Sequence, residues 1–115
     1  MGIPVSNAFK IDVVPGEHRI VVRVEGELDV ATAPALGDVL LQAETAGVAV
    51  IAIDLTGVSF IDSTGLRALL EAHARDTRHP NPGRLEIVGG SEQAQKLFKL
   101  AGVLDKLPFV AAPEQ

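Results

Sequence analysis

The sequence predicts an α/β fold: a single small domain, placed over residues 4–112, with a mixed four- to five-stranded sheet, its first strand antiparallel, packed with three to four helices. Three observations carry this reading. Val48-Ala49-Val50-Ile51-Ala52-Ile53 is a continuous apolar run of the kind found in a strand covered on both faces. Two strand-like segments open the chain, and helix-like and strand-like segments then alternate to its end, the pattern of parallel strands joined by helical crossovers. The length, 115 residues, suits one domain that buries about two-thirds of its unfolded surface.

Each element has its own signal. Phe9, Ile11 and Val13 alternate with Lys10 and Asp12, as in a half-exposed strand. Pro15-Gly16-Glu17 forms a turn. Arg19-Ile20-Val21-Val22-Arg23-Val24 then begins a second strand, antiparallel to the first, which ends at Gly26-Glu27-Leu28-Asp29. Thr32 as cap and Pro34 in the first turn open a helix with Leu36, Val39, Leu40 and Ala43 inward, and Gly47 closes it. After the apolar run of the third strand, residues 54–61 carry the chain out through a turn. Leu66, Leu69, Leu70 and His73 give the next helix its inner face. It fades into Arg78-His79-Pro80-Asn81-Pro82-Gly83, a loop. Leu85-Glu86-Ile87-Val88 is a fourth strand. Ser91 caps a third helix with Ala94, Leu97, Phe98 and Ala101 inward and Gly102 at its end. Leu107-Pro108-Phe109-Val110 adds a short edge strand.

Composition narrows the function. Hydrophobic residues make up 47% and charged residues 22%, which fits a compact domain. Net charge is −5 with no dense Lys/Arg cluster, and Trp and Tyr are absent. Nucleic acid and anionic membrane surfaces are therefore not expected partners. No apolar run is long enough to span a bilayer and no signal peptide precedes the first strand. The absence of cysteine excludes disulfides and thiolate metal sites and fits the cytoplasm. The acidic side chains show no metal-ligand spacing, and Asp54 and Asp62 read as turn and cap residues. Gly89-Gly90 lacks the flanking pattern of a nucleotide-binding loop and reads as a tight strand-to-helix turn. No cofactor is expected.

The most informative stretch is Asp62-Ser63-Thr64-Gly65-Leu66, where a strand has ended and a helix begins. A serine there can cap the helix, attack a substrate or receive a phosphate. Nucleophilic catalysis needs a positioned base and an oxyanion hole. The loop lacks the first glycine of a nucleophile elbow, and His18, His73 and His79 are badly placed to serve Ser63. An enzyme is not expected. On local grounds alone Ser63 reads as an N-cap or first-turn residue, Thr64 as a first-turn residue and Asp29 as a turn acceptor.

Two segments together resemble the anti-sigma-factor antagonist branch of the STAS-domain family. Gly26-Glu27-Leu28-Asp29-Val30-Ala31-Thr32-Ala33-Pro34 is similar to the family's segment after its second strand. Asp54-Leu55-Thr56-Gly57-Val58-Ser59-Phe60-Ile61-Asp62-Ser63-Thr64-Gly65-Leu66 resembles its phosphorylation loop, and Phe98-Lys99-Leu100-Ala101-Gly102-Val103 its third helix. The resemblance covers nearly the whole chain. It implies a partner switch: the unphosphorylated protein binds an anti-sigma factor that is also a serine kinase and frees a sigma factor. Phosphorylation at the serine matching Ser63 ends that binding, and a phosphatase restores it. Asp29 matches the family's acidic residue near that serine. The partner surface implied comprises Asp29, Thr32, Phe60, Asp62, Ser63, Thr64, Gly65 and Leu66. The alternative is a STAS scaffold module in a stress-signalling complex or beside a transporter, with Ser63 merely a cap.

Overall fold

A computed structural model describes residues 9–110, so residues 4–8 and 111–112 of the expected domain lie outside the described part. The order is β1 (Lys10–Val14), β2 (Arg19–Leu28), α1 (Ala33–Glu44), β3 (Val50–Ile61), α2 (Ser63–Thr77), β4 (Leu85–Val88), α3 (Glu92–Ala101) and β5 (Phe109–Val110). The strands form one sheet in the order β1-β2-β3-β4-β5. β1 pairs antiparallel with β2, and every later pair is parallel.

One apolar core lies between the sheet and the helices. Ile20, Val22 and Val24 of β2, Ile51, Ile53 and Leu55 of β3, and Leu85 and Ile87 of β4 face Leu36 and Leu40 of α1, Leu66 and Leu69 of α2, and Phe98 of α3. Phe98 also packs on Phe109, with ring centroids 5.0 Å apart at 48°, within the favoured range for an aromatic pair. The β3 run was expected to be covered on both faces. Instead the helices' core residues join those of one sheet face, and Ala52 of the other is buried in the floor of a groove walled by Arg19, Arg23, Asp54 and Glu86.

β3 also runs on where a turn was expected. Its pairing with β2 shifts register between Arg23 and Glu25 and again between Gly26 and Glu27, so β3 carries an extra residue at each place. Its buried residues Leu55, Val58 and Ile61 accordingly recur every third position rather than every second. Asp54 does not turn the chain. Its Oδ1 accepts from Thr56 N (2.9 Å) and Oγ1 (2.7 Å) at the first bulge.

Helix boundaries refine the sequence reading. Ser91 Oγ accepts from Ala94 N at 3.2 Å, and Gly102 ends α3 at φ 72°, the left-handed conformation that glycine adopts without penalty. Thr32 precedes α1 but makes no side-chain cap, and α1 stops at Thr45 before Gly47. Val39 and Leu97 are only partly buried and Ala101 is exposed. The inner face of α2 is Leu66, Leu69, Ala72 and Asp76, and Leu70 is exposed. A leucine at helical spacing lies at the margin of an apolar stripe as easily as at its centre, because the stripe is about 100° wide.

Polar anchors fix the far ends of α1 and α2. Arg75 forks onto Glu44 through Nε and Nη2, both at 2.9 Å, and this hydrogen bond, with the Glu44 charge, raises the Arg75 pKa above its ordinary value. Buried Asp76 accepts from Gly83 N (3.0 Å) and Arg84 N (3.2 Å) and faces the buried Arg84 guanidinium, so the loop after α2 closes onto its own helix. No helix among the described residues is long and apolar enough to cross a membrane.

Candidate functional site

The site is the rim where β2 and β3 end together. Leu28 pairs with Ile61, and Asp62 N donates to Leu28 O at 3.2 Å. The segments Asp29–Thr32 and Asp62–Leu66 therefore leave the sheet side by side. This juxtaposition brings Asp29, Thr32, Phe60, Asp62, Ser63, Thr64, Gly65 and Leu66 to one end of the sheet.

The first segment locks itself. Asp29 Oδ1 accepts from Ala31 N (3.0 Å) and Thr32 N (3.2 Å). Thr32 Oγ1 donates to Glu27 O at 2.7 Å and accepts from Asp29 N at 2.9 Å. Asp29 is thus a half-buried turn former, and Thr32 staples the strand end rather than capping α1. An aspartate side chain that mimics a backbone turn is a common device.

The second segment makes an exposed hydroxyl. Asp62, not Ser63, is the N-cap of α2: its Oδ1 accepts from Thr64 N (2.9 Å) and Gly65 N (3.0 Å). Ser63 becomes the first helical residue and is exposed. Leu66 is buried in the core and anchors the turn. A Cβ on Gly65 would lie 2.7 Å from Leu28 O and 2.8 Å from Ile61 Cγ1, so only glycine lets α2 start this close to the strand ends. At the same end of the sheet, Phe60 (40% exposed) and Val30 (70%) present apolar surface. Val30 was not among the expected partner residues.

Gln93 on α3 was also missed. Its amide donates to Ile61 O (3.0 Å) and accepts from Ile61 N (2.9 Å). β4 pairs with β3 only as far as Asp54, opposite Val88. At Ile61 the Gln93 amide takes the place of the missing strand and holds the residue that precedes Asp62-Ser63. Nothing in the spacing around Gln93 announces a partner so far away in sequence. The glycines before α3 were legible: Gly89 and Gly90 hold φ of 64° and 139°, as a tight strand-to-helix turn requires.

No histidine among the described residues hydrogen-bonds to Ser63; His79 Nδ1 instead accepts from Asn81 N. No group of three or more His, Asp and Glu side chains among the described residues is placed to hold a metal ion. The site is an exposed hydroxyl in the first turn of α2, at a strand-end rim that also carries exposed Phe60 and Val30.

The STAS-domain family model matches residues 9–115. The chain belongs to the STAS-domain family. This STAS domain is 35% identical over 97 residues to the anti-sigma-B factor antagonist of Staphylococcus epidermidis, an alignment covering 84% of this chain and 88% of the relative. It is 38% identical over 84 residues to the anti-sigma-B factor antagonist of Staphylococcus aureus strain NCTC 8325, covering 73% and 76%. An anti-sigma factor antagonist from Mycobacterium paratuberculosis has a similar crystal structure, with a TM-score of 0.79 at 25% identity over 95% of this chain and 89% of the other. The mixed sheet and three helices of this STAS domain are thus the fold its sequence predicts.

Proposed function

We propose that this STAS domain is an anti-sigma-factor antagonist switched by phosphorylation of Ser63. The unphosphorylated form binds an anti-sigma factor that is also a serine kinase, and the bound sigma factor is released. The kinase transfers the γ-phosphoryl group of ATP to Ser63 Oγ, which loses its proton, and ADP leaves. A phosphatase hydrolyses the ester back to serine and phosphate. The curated relatives carry the antagonist name, and one observation in this chain supports the phosphoryl acceptor above the others. Asp62 performs the capping, so the Ser63 hydroxyl is exposed and its esterification removes no structural hydrogen bond from the cap.

Physical magnitudes fit such a switch. A phosphate brings about −1.5 to −2 charges at neutral pH. Two unit charges about 6 Å apart, at an effective dielectric of about 20, repel by about 3 kcal/mol before solvent screening at an exposed site reduces it. About 3 kcal/mol corresponds to about a hundredfold in affinity. An acidic group on the partner facing Ser63 is enough to expel the phosphorylated form, with the core residues Leu66 and Leu69 left in place. Incubation with candidate anti-sigma kinases and ATP, followed by intact-mass measurement, tests this. A single phosphate gain that disappears in Ser63→Ala is expected. A gain retained by Ser63→Ala would move the acceptor, and no gain with any kinase of this class would favour a scaffold role.

A further inference from the structure

We infer that Arg67 is the internal counter-ion of the phosphorylated Ser63, so that this chain carries its own receptor for the mark it receives. The inference rests on the reading of Ser63 as phosphoacceptor and adds a residue that the motif does not contain. Arg67 follows Ser63 by one turn of α2, and side chains at that separation are neighbours on a helix surface. Long helical side chains lean toward the N-terminus, and Arg67 lines the groove between α1 and α2 together with Thr64, the residue next to Ser63.

Three observations make Arg67 the group that responds. It is exposed, and among the described residues it takes part in no ion pair and no side-chain hydrogen bond. Arg75, which lines the same groove between α1 and α2, is already committed to Glu44. The first-turn amides that would otherwise receive phosphate oxygens, Thr64 N and Gly65 N, are occupied by Asp62 Oδ1 at 2.9 and 3.0 Å. A phosphate on Ser63 therefore finds its donor in the planar guanidinium, whose paired N–H groups match phosphate oxygens. The acidic side chains that line the groove with Arg67 are Asp38 of α1 and Glu71 of α2. Each carries a single charge, and neither holds the arginine within ion-pair distance, so a dianion outcompetes both. Pairing with Arg67 draws the phosphate along α2, away from the carboxylates of Asp62 and Asp29.

The test installs phosphoserine at position 63 during translation of the full chain, which makes it independent of any kinase. The second ionisation of the phosphate is followed by phosphorus NMR in the parent, in Arg67→Gln and in Arg67→Lys. An exposed pair of this kind lowers the phosphate pKa by about 0.2–0.7 pH units. The parent is expected to titrate lower than Arg67→Gln by that amount, with Arg67→Lys close to the parent and the difference lost in about 1 M salt. Unphosphorylated parent and Arg67→Gln should melt together, which separates pairing from a structural role. Equal phosphate titration in the parent and Arg67→Gln would overturn the inference. A failure of Ser63 to accept phosphate from any kinase would leave this titration result intact and sink only the reading beneath it.

Discussion

Gln93→Ala isolates the contact that ties the strand end before Ser63 to α3. The substitution removes the donor to Ile61 O at 3.0 Å and the acceptor of Ile61 N at 2.9 Å. A made hydrogen bond contributes about 0.5–1.5 kcal/mol net, and a buried group left without a partner costs about 1–3 kcal/mol. Ile61 is fully buried, so water replaces the amide poorly, and a loss of about 2–4 kcal/mol is expected. With a urea slope of about 1.3 kcal/mol/M for a chain of this size, the midpoint should fall by about 1.5–3 M at unchanged slope. Amide exchange locates the effect: the Ile61 amide should lose at least about tenfold in protection while Ile53 and Ile87 change only with global stability. Gln93→Glu keeps an acceptor for Ile61 N but turns a carboxylate toward Ile61 O, and should be no more stable than the alanine variant. A loss below about 0.5 kcal/mol in Gln93→Ala, with Ile61 protection unchanged, would show that the clamp contributes nothing to holding the loop.

Other substitutions probe the rim and the opposite pole. Ser63→Ala should retain the anti-sigma partner under phosphorylating conditions, while Ser63→Asp or Ser63→Glu should weaken it, a difference that titration calorimetry reads and that added salt should narrow. Gly65→Ala should lose about 1–3 kcal/mol or more in denaturant melts, because the new methyl group meets the Leu28 carbonyl; normal stability would mean that α2 slides without cost. Asp29→Ala should lose about 1–2 kcal/mol by opening the turn over Ala31 and Thr32, whereas Asp29→Asn, which keeps the acceptor oxygen, should stay within about 0.5 kcal/mol of the parent yet weaken partner binding. Asp76→Ala should cost about 3–5 kcal/mol, since it leaves the buried Arg84 guanidinium without its carboxylate; a melt within about 1 kcal/mol of the parent would refute that pairing.

Local signals were legible where the local rule and the fold agree. Leu85–Val88 is a buried strand, Ser91 caps α3, and Gly102 closes it in the left-handed conformation. The motif around Ser63 was legible for the same reason, since a strand end, an aspartate cap and a close-packing glycine all lie within a few residues. What stayed hidden depends on pairings that no local periodicity announces. The two bulges in β3 make Leu55, Val58 and Ile61 recur every third residue, a spacing that suits neither a strand nor a helix, so the segment read as a turn. Thr32 looked like a cap because threonine before a helix usually is one, but Glu27 O competes successfully for its hydroxyl. The Gln93–Ile61 clamp and the Arg75–Glu44 fork join elements that only the folded sheet brings together.

The spatial order of the strands repeats their order along the chain. No strand has to slip between two that are already joined, so the sheet can grow at one edge only, as the polypeptide lengthens during synthesis. The β1–β2 hairpin supplies the first edge, α1 returns the chain to add β3, α2 returns it to add β4, and α3 to add β5. Loop-closure entropy is then met in modest instalments rather than in one long-range step. An order of docking that follows synthesis leaves the final strand, with Phe109 against Phe98, for last, and substitutions there should then accelerate unfolding while leaving the refolding rate nearly unchanged. A nascent chain that has just released α2 carries both strands of the Ser63 rim, whereas Gln93, which holds Ile61, follows only with α3.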